Sequence, residues 1–163
     1  MRIKTGLGYD IHRLKEGRKL FLGGVEINYP KGLLGHSDGD CLIHAIADAL
    51  LGSIGEKDIG QLFPDTEPQY KDIRSTELLS EVVEKINGEG YEILNVDSVI
   101  IAEEPKISPY IHQMKKMLCP ILGVGNEDLG IKAKTNEGQG SVGRGEAIAS
   151  LAQVLVRKKE EII

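Results

Sequence analysis

Between His36 and Gly52 the chain reads HSDGDCLIHAIADALLG, and this stretch restricts the fold more than any other. Leu42, Ile43, Ile46, Ala47, Leu50 and Leu51 fall at helical spacing over most of the circumference, as a helix enclosed by other elements requires. Asp40, His44 and Asp48 interrupt that surface at intervals of four and form one polar stripe. Polar groups in line on so apolar a helix need partners, because burying them unpaired is costly. A metal ion with its outer hydrogen-bonding groups would supply them. Ser37 or Asp38 suits the N-cap, and Gly52 the end.

A second stretch can be joined to the first. At the N-terminus Ile3, Thr5, Leu7, Tyr9 and Ile11 fall on one side of an extended chain, and Gly6, Gly8, Asp10 and His12 on the other. The strand is expected to end near Ile11. Asp10 and His12 therefore project together, beside glycines that leave room for something to approach. With His44 they would make a three-ligand site, and a tetrahedral ion held that way keeps one position open for substrate. Singly, each has a plainer explanation: Asp-x-His pairs are common on surfaces, and a helix histidine is more often simply hydrogen-bonded.

The 163 residues, 40% of them hydrophobic, fit one domain with a real core, spanning 1–163. A net charge of −5 argues against a general binder of nucleic acid or membrane surfaces. No apolar run approaches the ~20 residues of a spanning helix, and no signal segment opens the chain, so a cytoplasmic location is expected. Cys41 and Cys119 lack any Cys-x-x-Cys context and read as small apolar residues.

Lys19–Leu22 and Val25–Tyr29 read as a hairpin around Gly23-Gly24. Residues 59–70, with two prolines and no period, read as a loop. Leu78, Leu79, Val82, Val83 and Ile86 mark a helix that stops at Gly88, and Val96–Ala102 is a nearly continuous apolar strand. Ser108-Pro109 reads as a cap followed by proline at the first helical position, opening a helix up to Gly123. Leu129, Ile131, Ala133 and Thr135 alternate as a strand, and a last helix is expected over 146–159, with basic residues at its end. This mixture predicts an α+β fold, a sandwich of one mixed β-sheet with helices on one face. The other face, made partly polar by Gly6, Asp10, His12, Lys132 and Lys134, would be buried against further subunits.

GYDIH, GGV, KGLLGHSDGDCLIHAIADALLG, DIGQLFPDTEP, AEEPKI and KTNEGQGSVGRGEA occur here in the order found in the 2-C-methyl-D-erythritol 2,4-cyclodiphosphate synthases, and the chain resembles that family over essentially its whole length. The resemblance implies a homotrimer with active sites between subunits, in the non-mevalonate route to isoprenoid precursors. It implies conversion of 4-diphosphocytidyl-2-C-methyl-D-erythritol 2-phosphate into the cyclic diphosphate and CMP. Here the 2-phosphate attacks the β-phosphorus, so cations and hydrogen-bond donors are needed rather than a general base. By resemblance Asp10, His12 and His44 hold Zn2+, with a substrate phosphate in the open position. Glu137 holds a second divalent ion, Mg2+ or Mn2+, and His36 and Thr135 stabilise the transition state. Ser37 contacts phosphate, with Ile11 between the ligands of the strand. Asp58, Ile59 and Gly60 grip the methylerythritol hydroxyls, and Phe63, Pro64, Asp65, Thr66 and Glu67 close over them. Ala102, Glu103, Glu104, Pro105, Lys106, Ile107 and Ser108 form the cytidine pocket, and Lys134, Thr135, Asn136 and Glu137 line the diphosphate.

Two positions depart from the family pattern. Lys134 stands where many relatives have a small or hydroxyl residue. Ser141 replaces a phenylalanine that, with the arginine matching Arg144, lines the trimer channel, so weak or no retention of an isoprenoid diphosphate is expected. Two other functions fit some of the residues: a zinc phosphohydrolase, which would need a general base not evident near the metal motif, and a non-catalytic trimeric binding module.

Overall fold

The N-terminal alternation continues past Ile11, and the first strand, β1, runs Ile3–Glu16 in a computed structural model that describes residues 1–160. β2 (Leu20–Leu22) and β3 (Val25–Ile27) form the expected hairpin. Its two central residues, Gly23 and Gly24, have φ of 59° and 74°, the left-handed pair that a tight hairpin turn demands. β4 (Lys31–Leu33) then pairs antiparallel with the end of β1.

Helix α1 spans Cys41–Ser53, and its cap is Asp40 rather than Ser37 or Asp38. The Asp40 carboxylate accepts from Ile43 N–H and also from the N–H groups of Gly23 and Gly24, so one fully buried side chain fastens the hairpin to the helix start. Ten of the residues in α1 are buried, as the all-round apolar pattern requires.

The expected loop over 59–70 contains a one-turn helix, α2 (Ile59–Leu62), capped by Asp58, and a 3-10 turn at Pro68–Tyr70. Single turns are too short to show a period, so the sequence pattern does not reveal them. Helix α3 (Ser75–Gly88) and strand β5 (Tyr91–Ile101) follow. Ser108 does not cap a helix: a 3-10 turn over Ser108–Tyr110, without a side-chain cap, leads into α4 (Ile111–Leu122), which Gly123 ends at φ 69°. β6 (Leu129–Lys134) and a short helix α5 (Gly140–Gly143) precede the last element.

That last element, β7, is a strand over Ala147–Lys158, not a helix. It lies at the centre of a five-stranded sheet ordered β4-β1-β7-β5-β6, antiparallel to β1 and β5, while β5 and β6 run parallel. The first four residues of β7 are buried and the half-buried Leu151 and Leu155 stand on the open face, so AIASLAQVLV carries no period that separates strand from helix. Its neighbours decide the matter, by pairing with it along eleven residues of β1.

The helices form one layer. α1 lies over β1 and β7, α3 packs on α1 and β5, and α4 reaches β6. The glycine side of β1 is the covered one, because α1 takes the room that Gly6 and Gly8 leave. A Cβ on Gly6 would sit 1.8 Å from the Ala49 carbonyl oxygen, and one on Gly8 1.9 Å from that of Ala45. The expected polar outer face is therefore corrected: Gly6, Asp10 and His12 point to the helices, and β1 presents Ile3, Leu7, Tyr9 and Ile11 outward. Lys132 and Lys134 remain exposed, with Lys132 paired to Asp97. No helix among the described residues is long and apolar enough to cross a membrane.

Candidate active site

β1 and α1 bring Asp10, His12 and His44 together, as their spacing predicted. Asp10 Oδ2 lies 2.8 Å from His12 Nε2 and 3.0 Å from His44 Nδ1, and the two imidazole nitrogens are 3.2 Å apart. A tetrahedral ion with bonds of ~2.0–2.1 Å separates its ligands by about 3.3 Å, so a few tenths of an ångström of spreading would admit one. His12 Nδ1–H donates to the Leu34 carbonyl at 2.6 Å, which leaves Nε2 as a lone pair facing the other two ligands. Two imidazoles and a carboxylate with converging lone pairs fit a divalent cation.

Charge at the cluster follows from the same contacts. Burial opposes ionisation of Asp10, but His12 and His44, when they carry protons on the nitrogens facing it, outweigh it by hydrogen bonding and charge and hold the carboxyl well below the usual range; a cation between the three would replace those protons. Burial likewise works against the His12 imidazolium, and Asp10 more than compensates, raising its pKa.

The cluster forms the floor of a cavity of about 340 Å³. Gly35, His36 and Ser37 line one wall, and Ile59, Gly60, Phe63, Asp65 and Tyr70 another, with Phe63 and Tyr70 in edge-to-face contact at 5.3 Å between centroids. Asp48, the third residue of the α1 stripe, accepts from Ile59 N–H at 2.7 Å and anchors the second wall. Asp58 caps α2 from an exposed position beside Gly60. His36 Nε2 is 3.4 Å from the Glu67 carbonyl. Pro64 is half-buried, and Thr66 and Glu67 are exposed.

The remaining predicted residues gather elsewhere. Ala102 N–H donates to the Lys134 carbonyl, and Glu103 Oε1 accepts from Asn136 and Gly138 N–H at 2.8 and 3.2 Å, joining 102–108 to 134–138. Thr135 lies just past β6, exposed, with Oγ1 3.3 Å from Glu137 N–H. Glu137 is held in the left-handed region, at φ 50°. Glu104, Lys106 and Ser108 are exposed, Pro105 half-buried and Ile107 buried. This group does not meet the metal cluster within one chain. Ile11, Ala149, Ile101 and Lys134 lie in one row across the sheet, and three strand spacings of ~4.8 Å separate its ends by about 14 Å. Arg144 forms a two-pronged ion pair with Glu146, at 2.8 and 3.2 Å.

Two supports were not visible in the sequence. Arg18 donates to the carbonyls of Leu33, Gly35 and Ser37 at 2.6, 3.1 and 2.6 Å, pinning alternate residues of the His36 wall. Nothing marks such a carbonyl clamp in a sequence. Ser75, the first residue of α3, reaches His44 Nε2 at 2.9 Å, although a serine there reads as ordinary helix-start chemistry.

Residues 3–157 match the model of the YgbB family. A 2-C-methyl-D-erythritol 2,4-cyclodiphosphate synthase of Clostridium acetobutylicum is 57% identical over 91% of this chain and 96% of its own length. One from Caldicellulosiruptor bescii is 53% identical, covering 94% and 98%. Among solved structures, the bifunctional IspDF of Campylobacter jejuni superposes with a TM-score of 0.93 at 38% identity, over 98% of this chain and 43% of that one. The Plasmodium falciparum IspF in complex with CDP gives 0.85 at 38% identity, over 97% of both chains. By sequence along nearly its whole length and by fold, the chain belongs to the YgbB family, with the 2-C-methyl-D-erythritol 2,4-cyclodiphosphate synthases.

Proposed function

We propose that this chain is a phosphorus–oxygen lyase that converts 4-diphosphocytidyl-2-C-methyl-D-erythritol 2-phosphate into 2-C-methyl-D-erythritol 2,4-cyclodiphosphate, releasing CMP, in the non-mevalonate pathway of the cytoplasm. The observation that carries the reading is the convergence of Asp10, His12 and His44 at the floor of the cavity. A Zn2+ there would supply positive charge to a phosphate oxygen.

The chain's own residues do the rest. Ile59 and Gly60, held by Asp48 and Asp58, present backbone to the methylerythritol hydroxyls, while Phe63 and Tyr70 wall off the methyl side. The 2-phosphate oxygen attacks the β-phosphorus, the bond to the α-phosphate oxygen breaks, and that oxygen leaves with CMP. The nucleophile is already anionic, so the requirement is donors where charge accumulates: His36, Ser37 and Thr135. Glu137 is an oxygen ligand suited to Mg2+ or Mn2+ on the diphosphate. Its left-handed backbone is the kind of local strain that gathers at functional loops. Backbone groups of 102–108 read the cytosine edge, and Lys106 faces phosphate.

The gap of about 14 Å between the half-sites supports a site shared between subunits of a homotrimer, and the outward Ile3, Leu7, Tyr9 and Ile11 supply an apolar surface for assembly. Incubation with the diphosphocytidyl substrate is expected to yield cyclic diphosphate and CMP. Linear hydrolysis products would establish a phosphohydrolase instead, and no turnover a binding module. Mixing inactive His44→Ala and Lys106→Ala proteins is expected to restore part of the activity by subunit exchange. An active monomer in light scattering would refute the shared site.

A further inference from the structure

Asp38 and Ser75 are almost wholly enclosed, at 8% and 0% exposure, and neither lines the cavity. They are nevertheless bound tightly to each other. Ser75 Oγ donates a short hydrogen bond to Asp38 Oδ1, and Ser75 N–H donates to Oδ2 at 3.0 Å. Arg74 Nε–H, at 3.2 Å, balances the carboxylate's charge. The other side of the same hydroxyl meets His44 Nε2 at 2.9 Å.

Proton counting then fixes the imidazole. A carboxylate only accepts, so the single hydroxyl proton of Ser75 is spent on Asp38. What the oxygen offers His44 is a lone pair, and Nε2 must bring the proton. Nδ1 is left bare, and it is Nδ1 that stands 3.0 Å from Asp10 and 3.2 Å from His12 Nε2. We propose that Ser75 and Asp38 are positioning residues that hold His44 as its Nε2–H tautomer and so deliver Nδ1 to a cation; the proposal rests on the metal reading above. Outer-sphere partners of this kind orient a ligand ring and raise its basicity. One competing arrangement exists. Ser37 Oγ is 3.2 Å from the same nitrogen, and donation from it would put the proton on Nδ1, in the place of the metal. That arrangement leaves the Ser75 oxygen and Nε2 as two facing lone pairs at 2.9 Å, whereas the Nδ1 lone pair of the proposed tautomer faces Asp10 Oδ2 at 3.0 Å, a repulsion that a cation between them turns into coordination.

The test uses the full-length chain with labelled histidine. NMR on zinc-loaded wild type is expected to show His44 protonated at Nε2 and bound to the ion through Nδ1. Protonation at Nδ1 would overturn the proposal, whether or not any variant folds. Zinc affinity by competition with a chromogenic chelator is the second readout. Ser75→Ala is expected to weaken zinc by roughly 10–100-fold, and Ser75→Thr, which keeps the hydroxyl, by less than about threefold. Folded Ser75→Ala with wild-type affinity would also overturn it. Wild type that binds no zinc would refute the metal reading, whereas zinc held through His44 Nε2 would refute this proposal and leave that reading standing.

Discussion

Gly8→Ala tests whether the site depends on the closeness of helix and strand. The added Cβ would lie 1.9 Å from the Ala45 carbonyl oxygen and 2.8 Å from Ala49 N, both backbone atoms that no rotamer change can move. Ordinary contact begins at 3.4 Å, so α1 must retreat by about 1.5 Å at the residue next to His44. Overpacking costs 1–3 kcal/mol where side chains can adjust, and backbone against backbone belongs at ~3 kcal/mol or above. For a domain of this size that is a fall in Tm of roughly 6–12 °C. The same retreat withdraws one of three ligands by most of a bond length. Zinc affinity is expected to drop by more than ~100-fold, since even changes to outer-sphere groups cost 10–100-fold. Gly52→Ala, in the last turn of α1, is the control: its Cβ meets only the Leu7 carbonyl, at 4.0 Å, and it is expected to stabilise by up to ~1 kcal/mol. Thermal melts and elemental analysis read both quantities. Gly8→Ala with full zinc and a Tm within about 2 °C of wild type would refute the reasoning.

Burial, with the charge of Asp38 added, pushes the Asp40 carboxyl from 3.8 up to about 6. The folded state therefore holds this proton more tightly than the unfolded chain, and the resulting stability, of order 2–3 kcal/mol, is lost as pH rises from about 4 through 6. Asp40→Ser keeps a cap but abolishes that contribution, so urea titrations are expected to show a larger destabilisation at pH ~4.5 than at pH ~7; an equal one would refute it. Glu137→Asn suits the left-handed backbone at φ 50° at least as well, so Tm is expected to hold while the response of turnover to Mg2+ weakens. An unchanged magnesium dependence would remove Glu137 from the second ion site. Ser141 offers no ring, and the Arg144 fork is already engaged by Glu146, so calorimetry with geranyl diphosphate is expected to show binding weaker than micromolar. Tight binding lost in Arg144→Ala would show that the channel works without the ring.

The candidate metal site was legible because each of its residues rides on a strong period: Asp10 and His12 on a two-residue alternation, His44 on the one polar stripe of an apolar helix. The turn at Gly23-Gly24 and the C-terminal end of α3 at Gly88 were legible for the same local reasons. What sequence alone misassigned is set by partners distant in the chain. β7 gave no period because apolar side chains stand on both its faces, under α1 on one and beside Leu7 and Tyr9 on the other. Gly6 and Gly8 read as space for a ligand, whereas the space belongs to the Ala45 and Ala49 carbonyls. Asp40, placed in the metal's surroundings by its spacing, faces the hairpin instead. Ser75 and Arg18 are joined to the site only by tertiary hydrogen bonds, for which a single sequence carries no signature.

The central place of β7 also sets a timetable. β1 is made well before β7, yet across Ile3–Arg13 its partner is Ala147–Arg157 of that later strand. At 5–20 residues per second the first strand waits roughly 7–30 seconds with that edge open. Asp10 and His12 fall into register only when Ser150 and Ile148 arrive opposite them. Until then β1 lacks its sheet partner on that side, so a cation held by Asp10, His12 and His44 is expected to bind the finished sheet more tightly than a nascent chain cut short before residue 147. Such long-range closure also makes for slow folding, and it leaves the apolar residues of β1 exposed to other nascent chains during the wait.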